Sequence, residues 1–237
     1  MTPPRRPPGT SALAATGLRS RAREHPDAAL LGRSGGASSA RALFGELGGG
    51  LAAVRLAGAL PRLLTAPRGE GHPVVDIPGW KAPELTGAPL RAYLRLLGHD
   101  ARGWGFGTNT GHPRRDVERL ARRVLALADD SGRAVSLVGW SLGGVIARDV
   151  ARQHPDAVRR VITYGTPVPR RLDARTPLRV PLTVVFSRRD GIVPWPACID
   201  RSSTCVEHVE VSSTHLGMGL DPDVWELVAH RLAEPAP

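Results

Sequence analysis

Lysine is almost missing from this chain of 237 residues: Lys81 stands alone, and every other one of the 32 basic residues is arginine. Alanine, glycine, proline and arginine are abundant together, the mark of a GC-rich coding sequence acting on replaceable surface positions. The formal net charge of +10 therefore implies solubility and loose attraction to anionic surfaces rather than a dedicated partner. No module interleaving aromatic and basic residues, of the kind that reads RNA or single strands, is present, so nucleic acid is not expected as a partner. Cysteine is scarce. Cys198 and Cys205 lie in one loop-like stretch, without CxxC spacing or a histidine placed as a zinc ligand, so no metal site is expected. Their spacing permits a disulfide, with reduced thiols as the default. No apolar run has the length of a membrane span. The nearest, Ala42–Leu64, is broken by Glu46, Arg55, Pro61 and Arg62. The Arg5-Arg6 pair is similar to a twin-arginine signal, but Pro7-Pro8-Gly9 follows it and Ala12–Leu18 is too short and weak for an h-region. The expectation is a cytoplasmic protein with no stable membrane insertion, peripheral contact staying open. Its oligomeric state is not legible.

What is present fits one α/β domain with an appendage; 41% of the chain is hydrophobic, enough for a sizeable core. Residues 1–39 are rich in Pro, Arg, Gly and Ser with little periodicity and read as a disordered tail. Residues 40–70 form a helical segment, with Leu43, Phe44, Leu47, Leu51, Val54 and Leu60 at roughly helical spacing and a break at Gly48-Gly49-Gly50. Residues 71–237 alternate short apolar runs with helical stretches. Strands are expected at Val74–Ile77, Ala101–Phe106, Val135–Val138, Arg160–Tyr164, Pro181–Ser187 and His208–Val211. Helices are expected at Pro89–Leu97, Asp116–Asp129, Leu142–Val150 and Pro222–Ala233. Such βα units build a mostly parallel sheet covered by helices on both faces. In open sheets of this kind ligands bind beyond the carboxyl ends of the strands.

The residues at those ends carry the chemistry. Gly139-x-Ser141-x-Gly143 joins an apolar strand to a helix, the arrangement of a nucleophile elbow. A turn that tight leaves no room for a Cβ at the flanking glycines, lifts the serine hydroxyl out of the sheet and aims the N–H of Leu142 at the same spot. Past Thr183–Ser187 comes Asp190, in Ser187-Arg-Arg-Asp-Gly-Ile-Val-Pro194. Past the last strand comes His215, in Ser212-Ser-Thr-His-Leu-Gly217. A serine hydroxyl is a poor nucleophile near neutral pH and needs a base in hydrogen-bond reach. A carboxylate fixes the imidazole tautomer and stabilises the imidazolium that forms. Asp190-Gly191 also suits a plain turn. Of the histidines that follow Asp190, His208 is placed at the start of the last strand and His230 within the last helix, which leaves His215 as the base. An oxyanion hole needs two aimed N–H groups. Leu142 supplies one, and Trp80, after the turn at Pro78-Gly79, is the candidate for the other.

His72-Pro-Val-Val-Asp-Ile-Pro-Gly-Trp80, Gly139-Trp-Ser-Leu-Gly143, Tyr164-Gly-Thr-Pro167, Arg189-Asp-Gly-Ile-Val193 and His215 resemble the small bacterial serine lipase/esterase branch of the α/β-hydrolase superfamily. The resemblance covers most of the chain from Gly71. It implies an α/β-hydrolase fold and a serine hydrolase that cleaves carboxylic esters through an acyl-enzyme, with no cofactor and with a small-molecule or lipid acyl ester as substrate. Two departures stand out. The usual His-Gly after the first strand is Pro-Gly here. The insertion after Pro167, where relatives carry a lid, is too short for a cap domain, which implies a minimal cap or none. Thioester hydrolysis or acyl transfer would use the same triad. A catalytically weak scaffold that binds an apolar ligand is the alternative outside enzymology.

Gly103-Trp-Gly-Phe-Gly-Thr-Asn-Thr-Gly111 lacks the βαβ context of a dinucleotide site. Asn109 is placed to bond a substrate carbonyl, to brace the oxyanion loop, or merely to satisfy its own turn. Trp104 and Trp195 are candidate substrate contacts in an apolar acyl pocket, and either can instead fill core.

Overall fold

The computed structural model describes residues 54–168 and 177–235. The tail at residues 1–39, the first part of the helical segment and most of the segment after Pro167 lie outside the described residues.

Helix α1 covers residues 54–63. Strand β1 (Pro73–Ile77) leads to α2 (Ala88–Leu96) and β2 (Asp100–Gly103), then to α3 (Pro113–Ser131) and β3 (Val135–Trp140). Helix α4 (Leu142–Gln153), strands β4 (Val158–Tyr164) and β5 (Leu182–Phe186), one-turn helix α5 (Trp195–Cys198), β6 (Val206–Glu210) and α6 (Pro222–Ala233) complete the order. The six strands form one sheet in the order β2-β1-β3-β4-β5-β6, every pairing parallel. All carboxyl ends therefore open on one edge, which is the edge that carries the candidate site. Strands buried on both faces read as nearly continuous apolar runs: all five residues of β1 and of β5 are buried, as are the first five of β3, with one polar residue in each.

Local chemistry explains where the elements begin and stop. Helix α3 starts at Pro113, whose missing N–H costs nothing at a first-turn position. It ends on Gly132, at φ 63, whose N–H reaches back to the carbonyl of Ala128. Helix α6 starts on Asp221, whose carboxylate accepts from the N–H of Asp223 at 2.9 Å. Strand β2 is shorter than the apolar run suggested. Gly105 (φ 84) and Gly107 (φ 69) turn the chain, and the Trp104 indole N–H closes the turn on the Gly107 carbonyl at 2.8 Å. The last strand begins two residues earlier than expected, which puts His208 at its centre.

One core cluster joins α2 and α6 to the sheet through Leu90, Tyr93, Leu94, Trp225 and Val228. The described part of the N-terminal helical segment packs onto this cluster. Leu63 is buried in it, Leu56 and Ala59 lean on it, and the Tyr93 hydroxyl donates to the Leu63 carbonyl at 2.9 Å. Arg62 adds ion pairs to Asp223 and Glu226 on α6. Among the described residues no helix is long and apolar enough to cross a membrane. Cys198 is buried and Cys205 exposed, and the two are not bonded to each other.

His72 and His99 sit at the amino end of the sheet. Burial, then the charges of Arg159 and Arg133, pushes the His72 imidazole down to about 4; burial and Arg159 lower His99 as well. The unfolded chain protonates such a group from about pH 6.5 downward, so between that pH and about 4 it binds more protons than the folded chain. Stability contributed here is full above that window and lost as pH falls through it. Asp76 acts in the opposite sense, since burial lifts its carboxyl to about 6 despite Arg91. In His72→Gln the contribution of Asp76 is retained and that of His72 is gone. The parent should lose more melting temperature than His72→Gln between about pH 7 and 4.5. Equal losses would show that His72 is not a source of acid lability.

Candidate active site

At the end of β3 the backbone of Ser141 takes φ 54 and ψ −121, a region that costs a non-glycine residue about 1–3 kcal/mol. Neighbours hold it there. Its N–H donates to the Tyr164 carbonyl at 3.0 Å, and its own carbonyl accepts from the Gly144 N–H at 3.0 Å and the Thr166 hydroxyl at 3.1 Å. The flanking glycines are sterically required. A Cβ on Gly139 would lie 2.5 Å from the Gly144 Cα, and one on Gly143 would lie 2.3 Å from the Ile77 carbonyl oxygen. Helix α4 starts immediately after Ser141, so the Leu142 N–H belongs to the unpaired, electropositive first turn.

The residues read from sequence as acid and base meet on the same edge. His215 Nδ1 lies 2.7 Å from Asp190 Oδ2, with both side chains buried. The other carboxylate oxygen accepts from the N–H groups of Ile192 and Val193, each at 2.8 Å, which fixes the plane of the carboxylate. Ser187 ties the two loops together, its hydroxyl accepting from the N–H of Arg189 at 3.0 Å and of Ser213 at 3.3 Å. Trp140, which precedes Ser141, reaches His215 directly. Its ring centroid is 5.5 Å from the imidazole, and its indole N–H donates to the His215 carbonyl at 3.2 Å. Gly165 (φ 57) lies beneath the pair, where a Cβ would come within 3.0 Å of His215 Nδ1 and 3.3 Å of Asp190 Oδ2. Burial and then the Asp190 charge push the neighbouring Cys198 thiol up to about 12, which keeps it a neutral packing group at physiological pH.

The loop after β1 closes the edge. Gly79 lets it approach so closely that a Cβ would lie 3.0 Å from the Trp140 ring and 3.3 Å from the Ser141 Cβ. Among the described residues no carbonyl takes the N–H of Trp80. The Trp80 ring is partly exposed, with the Lys81 ammonium 4.5 Å from its centroid. Asn109 secures this loop with all four of its polar groups. Its side-chain N–H donates to the Pro78 carbonyl (2.8 Å), its own N–H to the Ala82 carbonyl (3.0 Å), and its carbonyl accepts from Lys81 (2.7 Å). Its side-chain oxygen accepts from Gly111 (3.1 Å). Of the three roles open to Asn109 in the sequence, the geometry matches the brace. Fully buried, it offers nothing to substrate. Replacing it with Ala strands the Pro78 carbonyl and the Gly111 N–H and should lower kcat at least about tenfold while the protein stays folded, read by steady-state kinetics alongside a melting curve. An unchanged kcat would mean that the loop keeps its shape unaided.

Trp104 is corrected as a substrate contact: it is 1% exposed, with its indole N–H spent on Gly107 and its ring edge-on to Phe106, so it fills core. Trp195 is half-buried between Phe186 and the Arg188 guanidinium. Reading the sequence missed the supporting positions of Gly165, Thr166 and Ser187. The Tyr164-Gly-Thr-Pro167 turn was visible as a motif, but nothing local said that Gly165 would sit under a residue fifty positions away. No group of three or more His, Cys, Asp or Glu among the described residues is arranged to hold a metal ion.

Comparison with known proteins agrees with this architecture. The family model of the dienelactone hydrolase family matches residues 105–210. The pimeloyl-[acyl-carrier protein] methyl ester esterase of Citrobacter koseri is 44% identical over 62 residues, 26% of this chain and 23% of that protein. The esterase of the same name from Aliivibrio salmonicida is 33% identical over 102 residues, 41% of this chain and 37% of that protein. The chain thus matches well under half the length of these curated relatives. Among solved structures, the α/β hydrolase enzyme MGS-MChE2, from a metagenome of sediments of the Mar Chica lagoon in Morocco, superposes with a TM-score of 0.52 at 17% identity. That superposition covers 69% of this chain and 91% of the other. With a six-stranded parallel sheet, a strained serine at the strand-to-helix turn and these matches, the chain has the α/β-hydrolase fold.

Proposed function

We propose that this protein is a serine hydrolase that cleaves carboxylic esters through an acyl-enzyme intermediate. The observation that carries the reading is the buried 2.7 Å contact between His215 Nδ1 and Asp190 Oδ2, on the sheet edge where Ser141 is held at φ 54. Asp190 keeps the imidazole proton on Nδ1, which leaves Nε2 to take the Ser141 proton as the hydroxyl attacks the ester carbonyl. The N–H groups of Leu142 and Trp80 hold the negative oxygen of the tetrahedral intermediate. The imidazolium then protonates the departing alcohol, and water, activated by the same base, releases the acid. The esterase names of the curated relatives agree with this chemistry. The protein works as one hydrolase domain over residues 71–237, preceded by the 40–70 segment, on a small-molecule or lipid acyl ester in the cytoplasm. Trp195 lies beside the acid loop as a wall for substrate.

A fluorophosphonate probe tests the reading. It should label Ser141, identified by peptide mass, and a p-nitrophenyl ester series should be turned over faster than the matching acyl thioesters. A folded protein that takes no label and cleaves no ester would instead be a binding scaffold. The short connection after Pro167 supports an open, lidless site. Rates on a short-chain ester should accordingly show no jump as the substrate passes its solubility limit, because interfacial gating needs a moving element. A sharp rise at that limit would require a lid.

A further inference from the structure

We propose that Asp200, paired with Arg148, is a positioning node that sets the distance between the nucleophile helix and the acid loop; this rests on the triad reading above. Asp200 lies ten residues beyond Asp190, at the far end of the same loop. Arg148 lies seven residues beyond Ser141 on α4, two turns down the helix that the nucleophile opens. Their side chains meet at 2.7 Å with exposures of 1% for Arg148 and 0% for Asp200.

The carboxylate binds more than the guanidinium. One oxygen accepts the Ser202 N–H (2.7 Å), the Ser202 hydroxyl (2.9 Å) and the Ser203 N–H (3.0 Å); the other accepts the Ser203 hydroxyl (2.6 Å) beside Arg148. The Ser203 hydroxyl in turn accepts the N–H of Leu178, ahead of β5. The Asp200 N–H donates to Nε2 of His208, at the centre of β6, at 3.0 Å. One buried residue thus touches α4, which follows Ser141; the loop that carries Asp190; and β6, which leads to His215. These are the three elements that deliver the proposed triad.

The intervening chain is stiff enough to transmit this. Asp190 is bonded to Ile192 and Val193, helix α5 follows at once, and its Ala197 carbonyl accepts from Val168 at 2.7 Å, beyond the turn that holds Gly165. Cys198 packs close enough to Asp190 to feel its charge. Burial works against the Asp200 charge, yet the hydrogen bonds from Ser203 and Ser202 and the Arg148 charge outweigh it and hold the carboxyl well below its ordinary range. A buried ion pair is weak evidence for stability, because apolar or neutral substitutes often serve as well. A fixed geometry is what a carboxylate bonded on both oxygens supplies and a neutral substitute does not.

The test separates position from stability. Arg148→Met/Asp200→Asn removes both charges together, while Asn retains an acceptor for Ser202 and Ser203. It should melt within a few degrees of the parent, whereas Arg148→Met alone leaves a buried carboxylate without its cation and should melt lower. In the double variant kcat should fall at least about tenfold with KM within about twofold, and the fluorophosphonate labelling rate should fall by the same factor. Parent-like kcat and labelling in the folded double variant would overturn the proposal. Should that variant not fold, Ser203→Ala, which removes one hydroxyl and leaves both charges, should still lower kcat several-fold at unchanged KM; no change there would overturn it too. Ser141→Ala, run beside them, distinguishes the two failures. An active Ser141→Ala would sink the triad reading, whereas an inactive one beside a fully active double variant would sink only the positioning role.

Discussion

Ser141→Ala should lower ester turnover by about 10⁴–10⁶-fold while leaving the protein folded. The side chain that goes is a single oxygen at a site whose backbone is held by Tyr164, Gly144 and Thr166 rather than by the hydroxyl. His215→Ala should fall as far, because without the imidazole nothing accepts the serine proton. Asp190→Asn should lose about 10⁴-fold, since a side-chain amide facing Nδ1 favours the tautomer that puts the imidazole proton on Nε2. His208→Ala, which removes an acceptor remote from the reacting atoms, should fall far less. The backbone supplies an independent check. Ser141 is a non-glycine residue at φ 54, so Ser141→Gly should be as inactive as Ser141→Ala yet more stable, by about 1–3 kcal/mol if the strain is fully relieved. Denaturant melts of the two variants measure that difference. A Ser141→Ala enzyme that kept even a few per cent of turnover would move the nucleophile elsewhere, and equal stabilities would show that the elbow is not strained.

Gly143→Ala carries the next largest effect. The added methyl would lie 2.3 Å from the Ile77 carbonyl oxygen and 2.7 Å from that of Pro78, both backbone atoms that no rotamer change can move. Either α4 or the end of β1 must give way, at about 1–3 kcal/mol. Both shifts separate the Leu142 and Trp80 N–H groups that the proposed oxyanion hole needs together. Losing one donor costs about 10²–10³-fold in kcat. The expected result is therefore a folded, destabilised enzyme with kcat down by about that factor, while Gly219→Ala, where a Cβ meets nothing within 4 Å, stays near the parent in both respects. A Gly143→Ala enzyme with parent kcat would remove Leu142 from the oxyanion role.

Much of the fold was legible because its signals are local. Pro222 after a capping Asp221 marks a helix start wherever it is placed, and the closing helix runs as expected over Pro222–Ala233. Apolar runs flanked by turn residues located the four central strands, since a strand buried on both faces has little other composition to choose from, whereas the outer strands β2 and β6 are partly exposed. The strand expected over Ala101–Phe106 was overextended for a physical reason. Trp104 and Phe106 are apolar, but the glycines between and after them adopt positive φ and bend the chain away. The apolar character seen there belongs to a turn of which Trp104 is the buried residue.

The chain order of the proposed nucleophile, acid and base and the placing of each after a strand were legible in the sequence alone, because the proposed chemistry asks for one residue type at each position and each turn demands small neighbours. Only the tertiary structure decided what holds them. Asp190 and His215 are separated by a strand and two loops, and their 2.7 Å contact exists because β5 and β6 pair in parallel register from Leu182 and Val206. Gly165 is small because that contact passes over it, and Asn109 is buried because its side chain bonds the Pro78 carbonyl of the loop after β1. Long-range packing assigns such roles, and a residue's neighbours in sequence carry no trace of a partner brought in by a different strand. Chemistry is written in residue types, which a sequence lists, whereas support is written in distances, which exist only after the sheet has formed.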